Sequence, residues 1–377
     1  MSRRAVVGVV FAAVVSLAVI SSAPWSPVPT RSLSEGLSDA EFWNVINDFS
    51  EPGGYFRSDN FISNESTFQH VIPDLIREVA PGGVYLGVGP DQNFTYIVAL
   101  RPRLAFITDI RRQNMLLHLM YKALLELSRN RAEFLSSFFA RPLPPDIPSD
   151  ISSDKLFDAV EAAKTDPDFE KSVLSAILHQ LGSTHGFSMS AEDSKTIEYV
   201  YTSFVTAGPQ IRYSFPNQYG WRRFPSYSEL MLESDEEGVN HSYMAAEEKF
   251  QTLKRLEAEN RIVPLVGDFA GEKALRSIGR YLRDRGATVS AFYTSNVEFY
   301  LFQSDDWKRF FNNVAELPVN HNSMFIRAYF NNYGFRFANQ PSGARSVTLL
   351  DSIPGLVSDY DSGRIRSYFD VIKRSSR

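Results

Sequence analysis

The chain has 377 residues, 44% of them hydrophobic and 13% aromatic, with a formal net charge of −5 and no cysteine. That length and apolar content predict one large folded domain or two smaller ones rather than disorder. The acidic balance gives no electrostatic basis for a nucleic-acid partner, and the missing thiols exclude disulfides, thiolate metal sites and cysteine nucleophiles.

Met1–Arg4 carries two arginines, Ala5–Ile20 is apolar apart from Gly8 and Ser16, and Ser21-Ser22-Ala23 follows. Charge, apolar run and small residues in that order predict an export signal or, left uncleaved, a membrane anchor, and this is the only membrane contact expected. A start codon assigned too early would instead leave a cytoplasmic protein. Ala23–Arg31, rich in proline and serine, reads as a linker.

Ser38-Asp39-Ala40-Glu41 predicts a capped helix start, with Phe42, Val45 and Ile46 facing inward. Glu51-Pro52-Gly53-Gly54 ends that helix, and Tyr55–Glu65 is a polar-aromatic loop. Ser66–Val79 predicts a second helix with Phe68, Val71, Ile72, Leu75 and Ile76 inward, and Pro73 marks a kink or a later start. The loop before it lies within reach of the following strand's C-terminal end, which makes Tyr55, Asn64 and Glu65 secondary site candidates.

Val84–Val88 predicts a strand running into Gly87-Val88-Gly89-Pro90, Asp91–Leu100 a helix, and Leu104–Thr108 a second strand that stops at Asp109. Strand, glycine turn, helix, strand and acid form the first half of a nucleotide-binding α/β unit. Glycine lets backbone N–H groups approach a ligand, a helix N-terminus adds positive partial charge, and a carboxylate at the second strand tip can accept two ribose hydroxyls. A plain strand–helix–strand turn with a solvent-facing Asp109 has the same spacing.

A long helix follows to about Leu127, with His118 read as a core histidine, and Ala140–Asp150 is the clearest break. Asp154–Lys164, Pro167–Leu181 and Ala191–Val205 predict three helices, so that 140–207 reads as a helical insertion. Gly182 is expected to end the second of them. Gly208–Tyr227 is aromatic and basic, either a lid or rings packing a long loop onto the core. Asp235-Glu236-Glu237 reads as a solvated turn and Ala246–Asn260 as a charged helix.

Arg261–Gly267 predicts a third strand leading to Asp268, Gly271–Arg285 a helix, and Ala287–Tyr293 a fourth strand leading to Asn296 and Glu298. Asp305–Leu317 predicts another helix, Ser323–Phe330 a late strand, and Arg336–Leu350 a final strand pair. The fold class is therefore α/β, a Rossmann-like, mostly parallel sheet flanked by helices. Its strands would deliver Gly87, Gly89, Asp109, Asp268, Tyr293, Asn296 and Glu298 to one edge, where such sheets bind ligands.

Val84–Asp109 resembles the first two strands of Rossmann-type, class I S-adenosylmethionine-dependent methyltransferases. The stretches LGVGPDQNFTYI, FITDIRRQN, VPLVGDFAG and FYTSNVEFYLF resemble a family of uncharacterised bacterial proteins with that fold. The resemblance implies that Gly87, Val88, Gly89 and Pro90 hold the methionine part of S-adenosylmethionine, Asp109 the ribose, and Asp268 the region of the adenine. Two features depart from the pattern: Tyr85-Leu86 stands where an acid precedes the loop, and Pro90-Asp91 where a third glycine is usual.

Two functions follow. One is methyl transfer to a small-molecule or protein acceptor, with Tyr293, Asn296 or Glu298 orienting or deprotonating that acceptor. The other is an exported, non-catalytic binding or scaffold protein that keeps the fold. Nicotinamide chemistry is disfavoured because Gln92 occupies the last position of Gly-x-Gly-x-x-Gly, and no Gly-x-Ser-x-Gly elbow supports a hydrolase. No metal is expected, since His179 and His185 lack an obvious third ligand and read as structural.

Overall fold

A computed structural model describes residues 33, 36–214, 224–330 and 344–375. The segment 1–31 lies outside them, as do 215–223 of the aromatic stretch and 336–343 of the expected final strand pair. Among the described residues no helix is long and apolar enough to cross a membrane.

Helix α1 (Asp39–Phe49) starts on a reciprocal cap: Glu41 N–H donates to Ser38 Oγ, and Ser38 N–H to the Glu41 carboxylate. Phe42, Val45 and Ile46 are buried as expected. Pro73 produces a later start: a 3₁₀ turn over Phe68–Val71 precedes α2 (Ile72–Glu78), which places Pro73 in the first helical turn, where its missing N–H costs nothing. Ile76, expected inward, is 50% exposed because the helix is short and only Ile72 and Leu75 face the core.

Strand β1 (Val84–Gly87) leads into α3 (Gln92–Leu100), and β2 (Leu104–Asp109) into α4 (Arg112–Leu127). Eight-residue α5 (Arg131–Phe138), not expected from the sequence, leads into α6 (Ser153–Ala162), α7 (Pro167–His179) and α8 (Ala191–Ala207). These pack on α4 and α5, with an Arg112–Asp193 ion pair of 2.6 Å and the Phe138 and Phe204 rings 4.4 Å apart. Gly182 does not end α7: a π-helical turn over Gln180–Thr184 continues it, and Gly186 supplies the left-handed residue at φ +70°. His185, directly after that turn, contacts Asp39 and Glu126.

Short α9 (Tyr227–Leu232) and α10 (Glu247–Ala258) lead to β3 (Ile262–Val266), then α11 (Ala274–Arg283) and β4 (Val289–Ser295). Asp235, read as solvated, is buried and accepts from the Glu237 and Val239 backbones and contacts His241. The fourth strand runs two residues beyond Tyr293, and α12 (Val297–Gln303) follows at once. The chain ends with α13 (Trp307–Ala315), β5 (Val319–Phe330), β6 (Ser346–Ser352), α14 (Ile353–Asp361) and α15 (Tyr368–Arg374).

The strands form one six-stranded sheet in the order β3-β2-β1-β4-β5-β6. The first five are parallel and β6 is antiparallel to β5. Every residue of β1, β2 and β3 is buried, as helices on both faces require. Pro264 is tolerated because β3 is an edge strand. The order reverses between β1 and β4, which opens a crevice past their C-terminal ends.

Candidate functional site

A cleft of about 450 Å³ occupies that crevice. Its described lining includes Val88, Gly89 and Pro90 after β1, Asp109 and Arg111 at the end of β2, Asp268 after β3, and Tyr293, Ser295 and Asn296 at the end of β4. Loop residues Tyr55, Asn64 and Glu65 line it too. Ten of the residues singled out in the sequence thus meet in one place, seven of them because parallel strands bring their C-terminal ends to one edge.

The two glycines do different work. Gly89 has φ +76°, and a Cβ placed there would meet no atom within 4 Å. Gly87 lies inside β1 and does not line the cleft; a Cβ there would collide with the Asn93 side chain. Its expected role against a ligand is therefore replaced by a packing role. The room it leaves lets Asn93 Nδ2 donate to Val88 O at 2.9 Å and Pro90 O at 2.7 Å, while Asn93 Oδ1 accepts from Tyr85 at 2.9 Å. His118 braces the same turn, its Nε2–H donating to Gly89 O at 2.8 Å. Burial holds that ring neutral, with its pKa pushed down to about 4.

Asp109 reaches the cleft already engaged. Arg111 donates from its backbone N–H and from Nε to Oδ1, both at 2.9 Å, and from Nη2 to Oδ2 at 2.8 Å. Arg111 is held in turn by the Ser58 and Asp59 carbonyls. Oδ1 has both acceptor positions filled and Oδ2 keeps one, so the carboxylate can take one further hydroxyl rather than the expected pair. Residues two apart at an extended strand end share a face, a signal already present in Asp109-Ile110-Arg111. Asp268 stands exposed at the mouth, its Oδ1 accepting from Ala270 N–H at 2.8 Å.

Glu65 is the deepest carboxylate of the cleft, 1% exposed. Tyr293 donates to its Oε1 at 2.8 Å, Ser295 donates to the same oxygen, and Gln92 Nε2 to Oε2 at 2.9 Å. Burial raises the Glu65 pKa against the pull of these bonds, and burial together with the Glu65 charge drives the Tyr293 phenol well above its ordinary value. Ser295 adopts φ +51°, a conformation costly for a side chain with a Cβ and one that clusters at functional sites. The sequence contains no cue for that conformation.

Glu298, expected here as a base, does not line the cleft. It is 1% exposed and paired with Arg327. Arg327 also binds Asp351 at 2.8 Å, and Arg374 binds Asp351 at 2.9 Å. The reason is helical phase: α12 begins at Val297, which turns position 298 toward β5 and β6.

The fold and cleft define an α/β protein with an open crevice at the topological switch point of its sheet. Residues 60–142 and 186–349 match a family described as a domain of unknown function (DUF7790), and the chain belongs to that family. The gap between the matched stretches, 143–185, spans α6 and α7. No curated protein matches the chain.

Proposed function

We propose that the cleft binds S-adenosylmethionine and that the protein is a methyltransferase of unassigned acceptor. The observation that carries this is the turn after β1: Gly89 is left-handed, opens on the cleft, and leaves the space of a missing Cβ beside the backbone. The strand order with an antiparallel last strand, and the acids at the tips of β2 and β3, support the same reading. When bound, the cofactor supplies an electrophilic methyl group on a sulfonium. Val88, Gly89 and Pro90 would hold its methionine part by backbone approach, and Asp109 Oδ2 one ribose hydroxyl. Asp268 stands at the end expected to take the base. Glu65, with one acceptor position open on Oε2, can hold or take an acceptor proton there, and Tyr293 and Ser295 fix its orientation.

The engagement of Asp109 by Arg111 favours a second reading, a non-catalytic binding protein on the same fold. Calorimetric titration of S-adenosylmethionine and S-adenosylhomocysteine into the purified full chain separates the two. Saturable binding that Asp109→Ala abolishes is expected. No binding by the folded protein overturns the cofactor assignment and leaves the scaffold reading.

A further inference from the structure

We infer that the deep part of the cleft, floored by Glu65, Tyr293 and Ser295 and walled by Phe56, Tyr213 and Tyr300, takes a primary aliphatic amine as its ammonium ion. Its role as methyl acceptor, which requires the ammonium first to give one proton to Glu65 Oε2 so that the amine lone pair can attack, rests on the methyl-transfer reading; its binding does not.

Hydrogen-bond polarity carries the argument. Tyr293 and Ser295 each have one hydroxyl proton, and both protons are spent on Glu65 Oε1. What those two side chains turn to the cleft is therefore oxygen lone pairs. Glu65 itself has three acceptor positions filled and one left on Oε2. The floor thus offers acceptors, and a ligand that supplies several donors from one atom complements it. An ammonium group has three such donors and no acceptor.

Charge and ring faces select the same ligand. The described lining holds the carboxylates of Glu65, Asp109, Asp268 and Asp306 against the guanidinium of Arg111, which is committed to Asp109. Asp109 is paired with Arg111, Asp306 with Arg309 at 3.3 Å, and Asp268 is exposed, so the charge an anion would meet in the deep part of the cleft is that of buried Glu65. The wall is aromatic: Phe56 and Tyr300 meet edge to face with centroids 5.6 Å apart, and Tyr213 and Tyr293 also line the space. Ring faces attract a cation and pack its alkyl chain equally well.

The test is ligand-observed NMR titration of the full chain with n-butylammonium, its neutral isostere n-butanol, and tetramethylammonium, a cation without N–H donors. Butylammonium should bind roughly fivefold or more tightly than either comparison probe. Glu65→Gln should abolish that preference, and Tyr300→Leu, at the partly exposed wall, should weaken butylammonium while leaving the fold unchanged by circular dichroism. Equal binding of butylammonium and butanol overturns the proposal. So does tetramethylammonium binding as tightly as butylammonium, and so does an undiminished preference in either variant. S-adenosylhomocysteine, titrated in parallel, separates the two readings. If it fails to bind while the ammonium preference holds, the cofactor assignment falls and the amine site stands; if it binds and the preference is absent, the reverse is true.

Discussion

Arg111 Nε and Nη2 lie 2.9 and 2.8 Å from the two carboxylate oxygens of Asp109, a bidentate pair within three residues of chain at the rim of the cleft. Both side chains are 7% exposed, so each neutralises a charge that the other would leave buried. Asp109→Ala should therefore do two things at once. It should remove the ribose contact, and it should destabilise the protein by about 3–5 kcal/mol through an unpaired Arg111. Denaturant unfolding of Asp109→Ala, Arg111→Ala and the double variant checks this: the double variant should be more stable than the sum of the singles predicts. Additive losses would show that the pair is not coupled.

The glycines of the first turn should respond oppositely to alanine. Gly89→Ala meets open space and should cost only the left-handed strain, about 1 kcal/mol, while weakening any ligand that approaches the turn. Gly87→Ala should be the more destabilising of the two, because its Cβ collides with Asn93 and breaks the bonds that lace the turn. Thermal melts of the two variants, with S-adenosylhomocysteine titrated into Gly89→Ala, decide it. A Gly87→Ala protein as stable as the parent would refute the packing role.

Glu298 should matter for stability and not for binding. Arg327 is 1% exposed and relies on Glu298 and Asp351 for compensation. Glu298→Ala should lose about 3–5 kcal/mol in denaturant unfolding, with ligand affinity of the remaining folded protein unchanged. A specific loss of affinity at full stability would return Glu298 to the site.

Asp91 gives the protein a pH dependence. It is buried behind the glycine turn, accepts from Tyr243 at 2.8 Å, and burial pushes its pKa up from 3.8 to about 7. The folded state therefore binds the proton more tightly than the unfolded chain does. This contribution falls as pH rises from about 4, and above about pH 7 the folded protein carries the full cost of a buried carboxylate. Asp91→Asn removes the ionisation. It should be more stable than the parent at pH 8, with the advantage shrinking toward pH 4. Parallel stability curves for the two proteins across that range would contradict the assignment.

Much of the fold is legible in the chain because its signals are local. The caps at Ser38, Asp166 and Ser190 start helices where their side chains meet free N–H groups. The apolar runs of the first three strands are continuous because both faces of a parallel sheet are covered. The α5 and α12 helices escape notice for an equally physical reason: each is about two turns long, too short for a periodic apolar face to stand out, and in α12 the rings of Phe299, Tyr300 and Phe302 fall on several sides.

The candidate site divides along the same line. The positions of Gly89, Asp109, Asp268, Tyr293 and Asn296 follow from the sequence alone, since strand ends and turns are set by neighbours along the chain. What those groups can do was decided only by tertiary packing. Long-range contacts seat Glu65 on Tyr293 and Ser295 from 228 and 230 residues away, and a helical turn carries Glu298 off to Arg327. Whether a carboxylate is paired, buried or open to a ligand depends on what the rest of the chain folds against it. No spacing within a single segment carries that information.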